Sequence, residues 1–270
     1  MFDFSGKTVL ITGASYGLGE GFALAFAEAG ADVVLTARSA ELLGAVAARC
    51  RELGRRATAL AGDVAVEADV ARVVETAVAE HGRIDVLVNN AGIGVAGALW
   101  DLPDGETERT VRLNLSVPLE LCGQAIPRMI RRRGGHIVNV ASIAAIGFVP
   151  GMTAYSGTKA GLFHATAALR LDLAGLPVGL TSVLVGPVPT DMLLSGEASY
   201  APTKRGFDRL RRLQLMPDTA AETLAAAVVK GVLKDRRTVF LPKRAAAFVA
   251  AVEAPRRIVE LALTGVPRRA

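Results

Sequence analysis

Seven short runs rich in β-branched and apolar residues alternate with longer stretches of helical periodicity along this chain. They are Thr8 to Thr12, Asp32 to Thr36, Ala57 to Ala61, Val86 to Asn89, His136 to Ala141, Val178 to Val185, and Thr238 to Leu241. A strand that must travel through a helix before the next strand pairs with it in parallel. These runs are apolar on both faces, so helices must cover both sides of the sheet. The fold class is therefore α/β, a doubly wound parallel seven-stranded sheet. At 270 residues the chain fits one large domain as well as two small ones. The alternation runs nearly end to end without repeat, low-complexity segment or linker, so residues 1–270 are expected to form a single domain. In the second helix Leu42, Val46 and Leu53 recur at helical spacing beside Glu41, Arg49 and Glu52, which reads as a core-facing stripe.

One stretch breaks the pattern. Leu194 to Met216 contains Gly196, Pro202 and Gly206 with no clear period, and it follows the sixth strand. A long insertion there, 194–216, is a candidate lid over a ligand. Cys50 and Cys122 are the only two cysteines, with no CxxC and no partnered histidine cluster, so neither a disulfide framework nor a metal site is expected. That usage suits a reducing cytoplasm. The N-terminus lacks a basic region followed by an apolar run, and no apolar stretch approaches the ~18 residues of a membrane span.

The formal charge of +5 is unevenly placed: residues 231 to 270 hold nine basic and three acidic residues, and the remainder is net −1. No general basic stripe for a phosphate backbone results, which argues against nucleic acid. Beyond the last strand the basic, helical extension 243–270 is apolar over Ala245 to Ala254, is interrupted by Pro255, and continues with Arg256-Arg257 and Leu261 to Leu263. It is too short and broken to span a bilayer; peripheral contact with an anionic membrane surface, or with a subunit, remains open to it.

The first strand runs straight into Thr12-Gly13-Ala14-Ser15-Tyr16-Gly17-Leu18-Gly19, followed by the helical run Glu20 to Ala29. Between strand and helix these glycines acquire meaning. Gly13 permits a tight turn, Gly17 lets the backbone approach a phosphate, and Gly19 lets the helix pack closely on the sheet. The helix N-terminus then faces an anion.

Further on, Tyr155-Ser156-Gly157-Thr158-Lys159 sets a phenol and an ammonium one helical turn apart on one face. A phenol with a reference pKa of about 10 shuttles protons poorly at neutral pH, and each unit of lowering needs about 1.36 kcal/mol of preference for the phenolate. A nearby ammonium supplies such a preference, and oxidised nicotinamide would add a second positive charge. Alone, a pair at this spacing is ordinarily just helix surface.

The remaining motifs arrive in a telling order: Asp63-Val64 after strand three, Asn89-Asn90-Ala91-Gly92 after strand four, Asn114 in the fifth helix, Ser142 after strand five, then Tyr155 with Lys159, and Gly186-Pro187-Val188-Pro189-Thr190 after strand six. Over roughly residues 5 to 242 the chain resembles the short-chain dehydrogenases/reductases, in the TGxxxGxG, NNAG, Ser and YxxxK pattern. It departs from the family's common Pro-Gly with Val185-Gly186. The resemblance implies a Rossmann-like fold and an enzyme that interconverts a ketone or aldehyde and its alcohol by hydride transfer. It implies Tyr155 as the proton donor or acceptor, Ser142 as the group that polarises the substrate oxygen, Lys159 as the modulator of the phenol and a ribose contact, and Asn114 as the holder of a relay water. It further implies that Asp63 and Val64 meet the adenine, that Asn90, Ala91 and Gly92 shape the ribose wall, and that Val188 and Thr190 hold the carboxamide. Ser15, Tyr16 and Leu18 belong to the glycine loop. Taken singly, Asp63 reads as a helix cap, Ser142 as a strand-end cap and Asn114 as a helical polar residue.

The cofactor type rests on the end of strand two, Thr36-Ala37-Arg38-Ser39. A carboxylate there would bond the ribose 2′-hydroxyl; a guanidinium instead favours the 2′-phosphate of NADP(H), with Ser15 as an added donor. Candidate substrate-wall residues are Gly94, Val95, Ile143, Phe148, Val149, Met152, Val188, Met192 and Leu193, a mostly apolar set that favours a hydrophobic carbonyl compound or alcohol over a sugar. The lid cations Lys204, Arg205, Arg209, Arg211 and Arg212 keep a 3-oxoacyl thioester of an acyl carrier or coenzyme A as the competing substrate, and a non-catalytic NADP-sensing protein is the rival from outside enzymes. His81, His136 and His164 pair with no nucleophile motif and read as structural or solvated. The family resemblance points to a homodimer or homotetramer.

Overall fold

The computed structural model describes residues 4–262. The seven strands are β1 (Thr8–Thr12), β2 (Asp32–Ala37), β3 (Ala57–Ala61), β4 (Val86–Asn89), β5 (Gly135–Val140), β6 (Val178–Val185) and β7 (Thr238–Leu241). They form one sheet in the order β3-β2-β1-β4-β5-β6-β7 with every pair parallel. The order reverses between β1 and β4, and in open α/β sheets the crevice beyond the carboxyl ends at that point is where ligands bind. The expected strands are all present; three ends, one of β2 and both of β5, differ by a residue.

Strand alternation sorts the core into two layers. Val9 and Ile11 of β1, Val86 and Val88 of β4 and Val138 of β5 face α1 (Gly17–Glu28), α2 (Ala40–Glu52) and α9 (Ala221–Leu233). Leu10, Leu87 and Ile137, one residue out of phase, face α3 (Glu67–His81) and α5 (Val117–Arg131). A third cluster joins Ile143, Phe163 and Leu184 to Ala245 and Val249. Asp85, buried at the start of β4, accepts a hydrogen bond from Thr8 N at 2.9 Å and pairs with Arg83, locking β4 to β1 at the end remote from the crevice.

Three local expectations change. In α2 the buried stripe is Leu43, Val46, Ala47 and Cys50, whereas Leu42 and Leu53 are nearly half exposed; Ser39 caps the helix by accepting from Leu42 N, which turns Leu42 outward. Residues 194–216 are not irregular: α7 (Asp191–Ser199) and α8 (Ala201–Arg212) account for most of them. Pro202 stands in the first turn of α8, where its missing N–H is harmless, and Gly206 lies where a Cβ would come within 3.1 Å of Val149 Cβ. Pro255 does not end the C-terminal segment, since α10 (Ala246–Ala262) runs through it. Pro255 is exposed, so the carbonyl deprived of a partner can turn to water. The remainder of the extension, residues 263–270, lies outside the described residues. Among the described residues no helix is long and apolar enough to cross a membrane.

Candidate active site

A cleft of about 640 Å³ opens beyond the carboxyl ends of the strands. Its floor is the glycine loop. Gly13 has φ +65°, and a Cβ there would lie 2.9 Å from Ala91 Cα; at Gly19 a Cβ would stand 1.9 Å from Gly13 O. Neither position admits a side chain without moving backbone. Tyr16 precedes α1 with no side-chain cap, so the first N–H groups of the helix are left for whatever enters the cleft.

Asn90 secures this floor. Its Nδ2 donates to Thr12 O and Gly13 O, each at 3.0 Å, while Thr12 Oγ1 accepts from Asn90 N at 3.1 Å and Ala91 N at 3.0 Å. The β4 loop and the glycine loop are thus one unit. Thr12 opens the TGxxxGxG motif, but the sequence pattern gave it no role of its own.

The far end of the cleft is lined by Thr36, Ala37, Arg38 and Ser39 beside Asp63 and Val64. Asp63 does not cap α3, whose first turn begins at Glu67; its Oδ1 accepts from Ala65 N at 2.9 Å in a local turn. Thr36 Oγ1 is buried without a partner, and Arg38 forms no ion pair among the described residues. Uncapped helix N–H groups, an unpaired guanidinium, and glycines that exclude side chains form a donor set suited to a phosphate-bearing dinucleotide.

Ser142, Tyr155 and Lys159 meet at the middle of the cleft. Ser142 follows β5; its Oγ accepts from Ala144 N at 3.1 Å and lies 3.2 Å from Val185 O, so it bridges the ends of β5 and β6. Tyr155 and Lys159 come from the first turns of α6 (Thr153–Asp172), with the ammonium 5.8 Å from the phenol ring centroid. Lys159 Nζ is buried and donates to Val140 O at 2.9 Å. Burial lowers the Lys159 pKa to about 8. Burial also raises the phenol of Tyr155, with the Ser142 hydroxyl opposing. The direction is opposite to the expected lowering: burial dominates at Tyr155, and the ammonium donates to a backbone carbonyl.

Asn114 sits at the back of this group in a π-helical turn, Arg112–Ser116, between α4 (Glu106–Val111) and α5 rather than in regular helix. Such turns often mark functional sites. Its Oδ1 accepts from Ile93 N and its Nδ2 donates to Ile93 O, both at 2.9 Å. A Cβ on Gly92 would meet Asn114 Oδ1 at 2.8 Å and Lys159 Nζ at 3.5 Å, which places both groups against that glycine.

The remaining wall is apolar. Gly94, Val95, Val149, Met152, Val188, Met192 and Leu193 line it, with Thr190 beside the glycine loop, where a Cβ on Gly17 would stand 3.3 Å from Thr190 Cγ2. Phe148 lines the mouth while 87% exposed. Ile143 is not part of the wall; its side chain is buried in the third core cluster, because the turn after Ser142 points it inward. Phe207 of α8 and Met216 close the outer side. The cations of 194–216 divide: Lys204 pairs with Asp208 at 2.7 Å and Arg211 with the buried Glu197 at 2.7 Å and Asp218 at 3.0 Å, whereas Arg205, Arg209 and Arg212 are exposed. The Glu197–Arg211 pair joins α7 to α8 across fourteen residues, a spacing with no sequence signature.

The parallel sheet, the glycine loop at its switch point and the cleft above them define an α/β nucleotide-binding class of enzyme. Residues 7–200 match the family model described as short chain dehydrogenase. The chain belongs to the short-chain dehydrogenase/reductase family and is an oxidoreductase. It is 36% identical over 193 residues to oxidoreductase UcpA of Escherichia coli K12, covering 71% of this chain and 73% of that protein. It is 35% identical over 187 residues to the 3-oxoacyl-[acyl-carrier-protein] reductase FabG of Thermotoga maritima, covering 69% and 76%. A crystal structure of a metagenomic short-chain oxidoreductase in complex with NADP superposes with a TM-score of 0.66 at 34% identity, covering 68% of this chain and 85% of that one.

Proposed function

We propose that this chain is an NADPH-dependent reductase of hydrophobic ketones or aldehydes, working reversibly on the corresponding alcohols. The observation that carries the reading is the convergence of Ser142, Tyr155 and Lys159 between the glycine floor and an apolar wall. NADPH, when bound, supplies the hydride. The chain's residues do the rest.

Gly13, Ser15, Tyr16, Gly17, Leu18 and Gly19 are assigned to the pyrophosphate side and Arg38 to the 2′-phosphate. Asp63 and Val64 take the adenine, Asn90, Ala91 and Gly92 the ribose wall, and Val188 and Thr190 the carboxamide. No carboxylate stands at the end of β2 to repel a phosphate, and the NADP complex of a relative with 34% identity supports the same choice.

In the reduction, Tyr155 Oη gives its proton to the carbonyl oxygen. A raised phenol pKa keeps that proton in place across neutral pH, the state the reduction needs. Ser142 Oγ donates to the same oxygen as charge develops on it. Lys159 stabilises the phenolate left behind, and Asn114 positions the path by which Tyr155 is reprotonated. Gly94, Phe148, Met152 and Met192 enclose the substrate's apolar body.

A 3-oxoacyl thioester is the second reading, favoured by the relative named as an acyl-carrier-protein reductase and by the exposed Arg205, Arg209 and Arg212. The test is NADPH oxidation against a panel of hydrophobic ketones, aldehydes and 3-oxoacyl thioesters, with Tyr155→Phe and Arg38→Ala alongside. Tyr155→Phe is expected to lose turnover and keep NADPH binding, and Arg38→Ala to lose preference for NADPH over NADH. Near-normal turnover by Tyr155→Phe would sink the mechanism, and an unchanged cofactor ratio in Arg38→Ala would sink the NADP(H) assignment.

A further inference from the structure

Among the described residues the outer face of α10 has no polar cover. Val249, Val252, Glu253 and Arg256 form its inward stripe, with Val249 buried and the Arg256 guanidinium 4.2 Å from the Phe163 ring centroid. Around the rest of the helix stand Phe248, Ile258, Val259 and Leu261, exposed by 64%, 67%, 53% and 75%, separated by alanines and Pro255. A helix that packs one face on a water-soluble core ordinarily carries charge on the other. Here the one exposed charge along that face with a described side chain is Arg257.

Cations frame the apolar face. Lys243 and Arg244 are exposed at its start, and Arg244 Nη1 donates to Gln214 O at 2.8 Å, which ties the end of α8 to the beginning of α10. Leu213 and Leu215, on either side of Gln214, are exposed, as are Arg209 and Arg212 of α8. Among the described residues Arg209, Arg212, Lys243 and Arg257 form no ion pair. In the sequence Arg268 and Arg269 follow, within the segment of +6 that sets this end apart from a remainder of −1.

We propose that α10 and the adjoining end of α8 dock on the surface of an anionic lipid bilayer. Exposed apolar side chains beside clustered Lys and Arg are the composition of a helix that lies in the interface, where apolar groups enter the headgroup–acyl boundary and cations meet lipid phosphates. A second copy fits less well: a two-fold contact would set this basic surface against itself. Among the described residues the helix is too short to span, because 17 helical residues at about 1.5 Å each fall short of a ~30 Å hydrocarbon core.

The test is co-sedimentation of the full chain with vesicles of phosphatidylglycerol and phosphatidylcholine in equal parts, and with phosphatidylcholine alone. Binding is expected on the anionic vesicles, weakened by salt and much lower on the neutral ones. Phe248→Glu and Ile258→Glu, at exposed positions whose change leaves the core untouched, are expected to abolish it. Lys243→Gln with Arg212→Gln is expected to weaken partitioning about 25-fold, roughly fivefold per cation. Sedimentation velocity without lipid accompanies each variant. Absence of binding to anionic vesicles, equal binding to both compositions, or a fall in oligomeric state on Phe248→Glu without vesicle binding would each overturn the proposal, the last by assigning the face to a second copy. The salt dependence of the unmodified chain decides the electrostatic part without any variant.

Discussion

Asn114 and Ile93 exchange two hydrogen bonds, the side-chain carbonyl accepting from Ile93 N and the side-chain amide donating to Ile93 O, each at 2.9 Å. The π-helical turn that carries Asn114 is thereby fastened to the loop after β4, which also carries Gly92. Asn114→Ala leaves the backbone donor and acceptor of the partly buried Ile93 without their side-chain partner. Buried unsatisfied groups cost about 1–3 kcal/mol each, so a loss of about 2–4 kcal/mol is expected in urea titration. Turnover should fall as well, since Gly92 and Lys159 lose their shared neighbour. A midpoint within error of the unmodified protein would show that the pairing does not hold the loop.

The floor of the cleft is tested by two glycines. Gly19→Ala puts a Cβ where Gly13 O stands, and backbone must shift; NADPH binding, followed by nicotinamide fluorescence, is expected to weaken at least tenfold, or about 1.4 kcal/mol. Gly44→Ala in α2 meets nothing within 4 Å. There the same change should leave NADPH binding alone and stabilise the fold by about 0.5–1 kcal/mol. Equal effects from both would mean that crowding at Gly13 is not what Gly19 avoids.

How far the sequence reads true depends on whether local pattern and tertiary contact agree. β1, β3, β4, β6 and β7 were legible to the residue; in β1, β4 and β6 burial on both faces imposes an apolar run with sharp ends. Gly13 and Gly19 were legible because no side chain fits between the glycine loop and the β4 loop. The helical form of 194–216 was not, since α8 buries only Thr203 and Phe207, and its Pro202 and Gly206 imitate loop punctuation. Leu42 and Leu43 differ by one position, and only the cap from Ser39 decides which faces inward. Ile143 was placed in the wall by its adjacency to Ser142, but three residues past the end of β5 the chain has already turned. The Glu197–Arg211 pair arises from the crossing of two helices and left no trace in spacing.

His136 makes stability depend on pH in a window remote from Lys159. It is buried, with Nε2 2.8 Å from Thr181 Oγ1, whose hydroxyl donates to Arg236 O; the imidazole therefore supplies the proton to Thr181. Burial, aided by Arg170, lowers its pKa to about 4. Asp235 lies 3.8 Å from Nδ1 but is largely exposed and offers little relief. A depressed histidine pKa means the unfolded chain takes up the proton first. Stability should be full above about pH 6.5 and fall as pH drops toward 4, by about 2 kcal/mol at pH 5. Denaturant titrations at pH 7 and pH 5 should show this loss in the unmodified protein and a flatter response in His136→Gln.

Lys159 sets activity and stability against each other. Its ammonium is buried and its pKa is lowered to about 8, so the charged form predominates below that pH and the neutral form above it. If the charge supports Tyr155, kcat/KM for carbonyl reduction should decline as pH rises through about 8, approaching a tenfold loss per unit. Stability should do the opposite. Between about pH 8 and the ordinary lysine value of about 10.4 the unfolded chain binds a proton that the folded chain does not, and stability from this group rises with pH through that window. Lys159→Met removes both effects. Its stability relative to the unmodified protein, measured by urea titration at pH 7 and pH 10, should become less favourable by roughly 2 kcal/mol at the higher pH, whatever the absolute difference. A gap that does not change with pH would mean that Lys159 titrates normally, and the same result would remove the physical basis for the expected fall in kcat/KM.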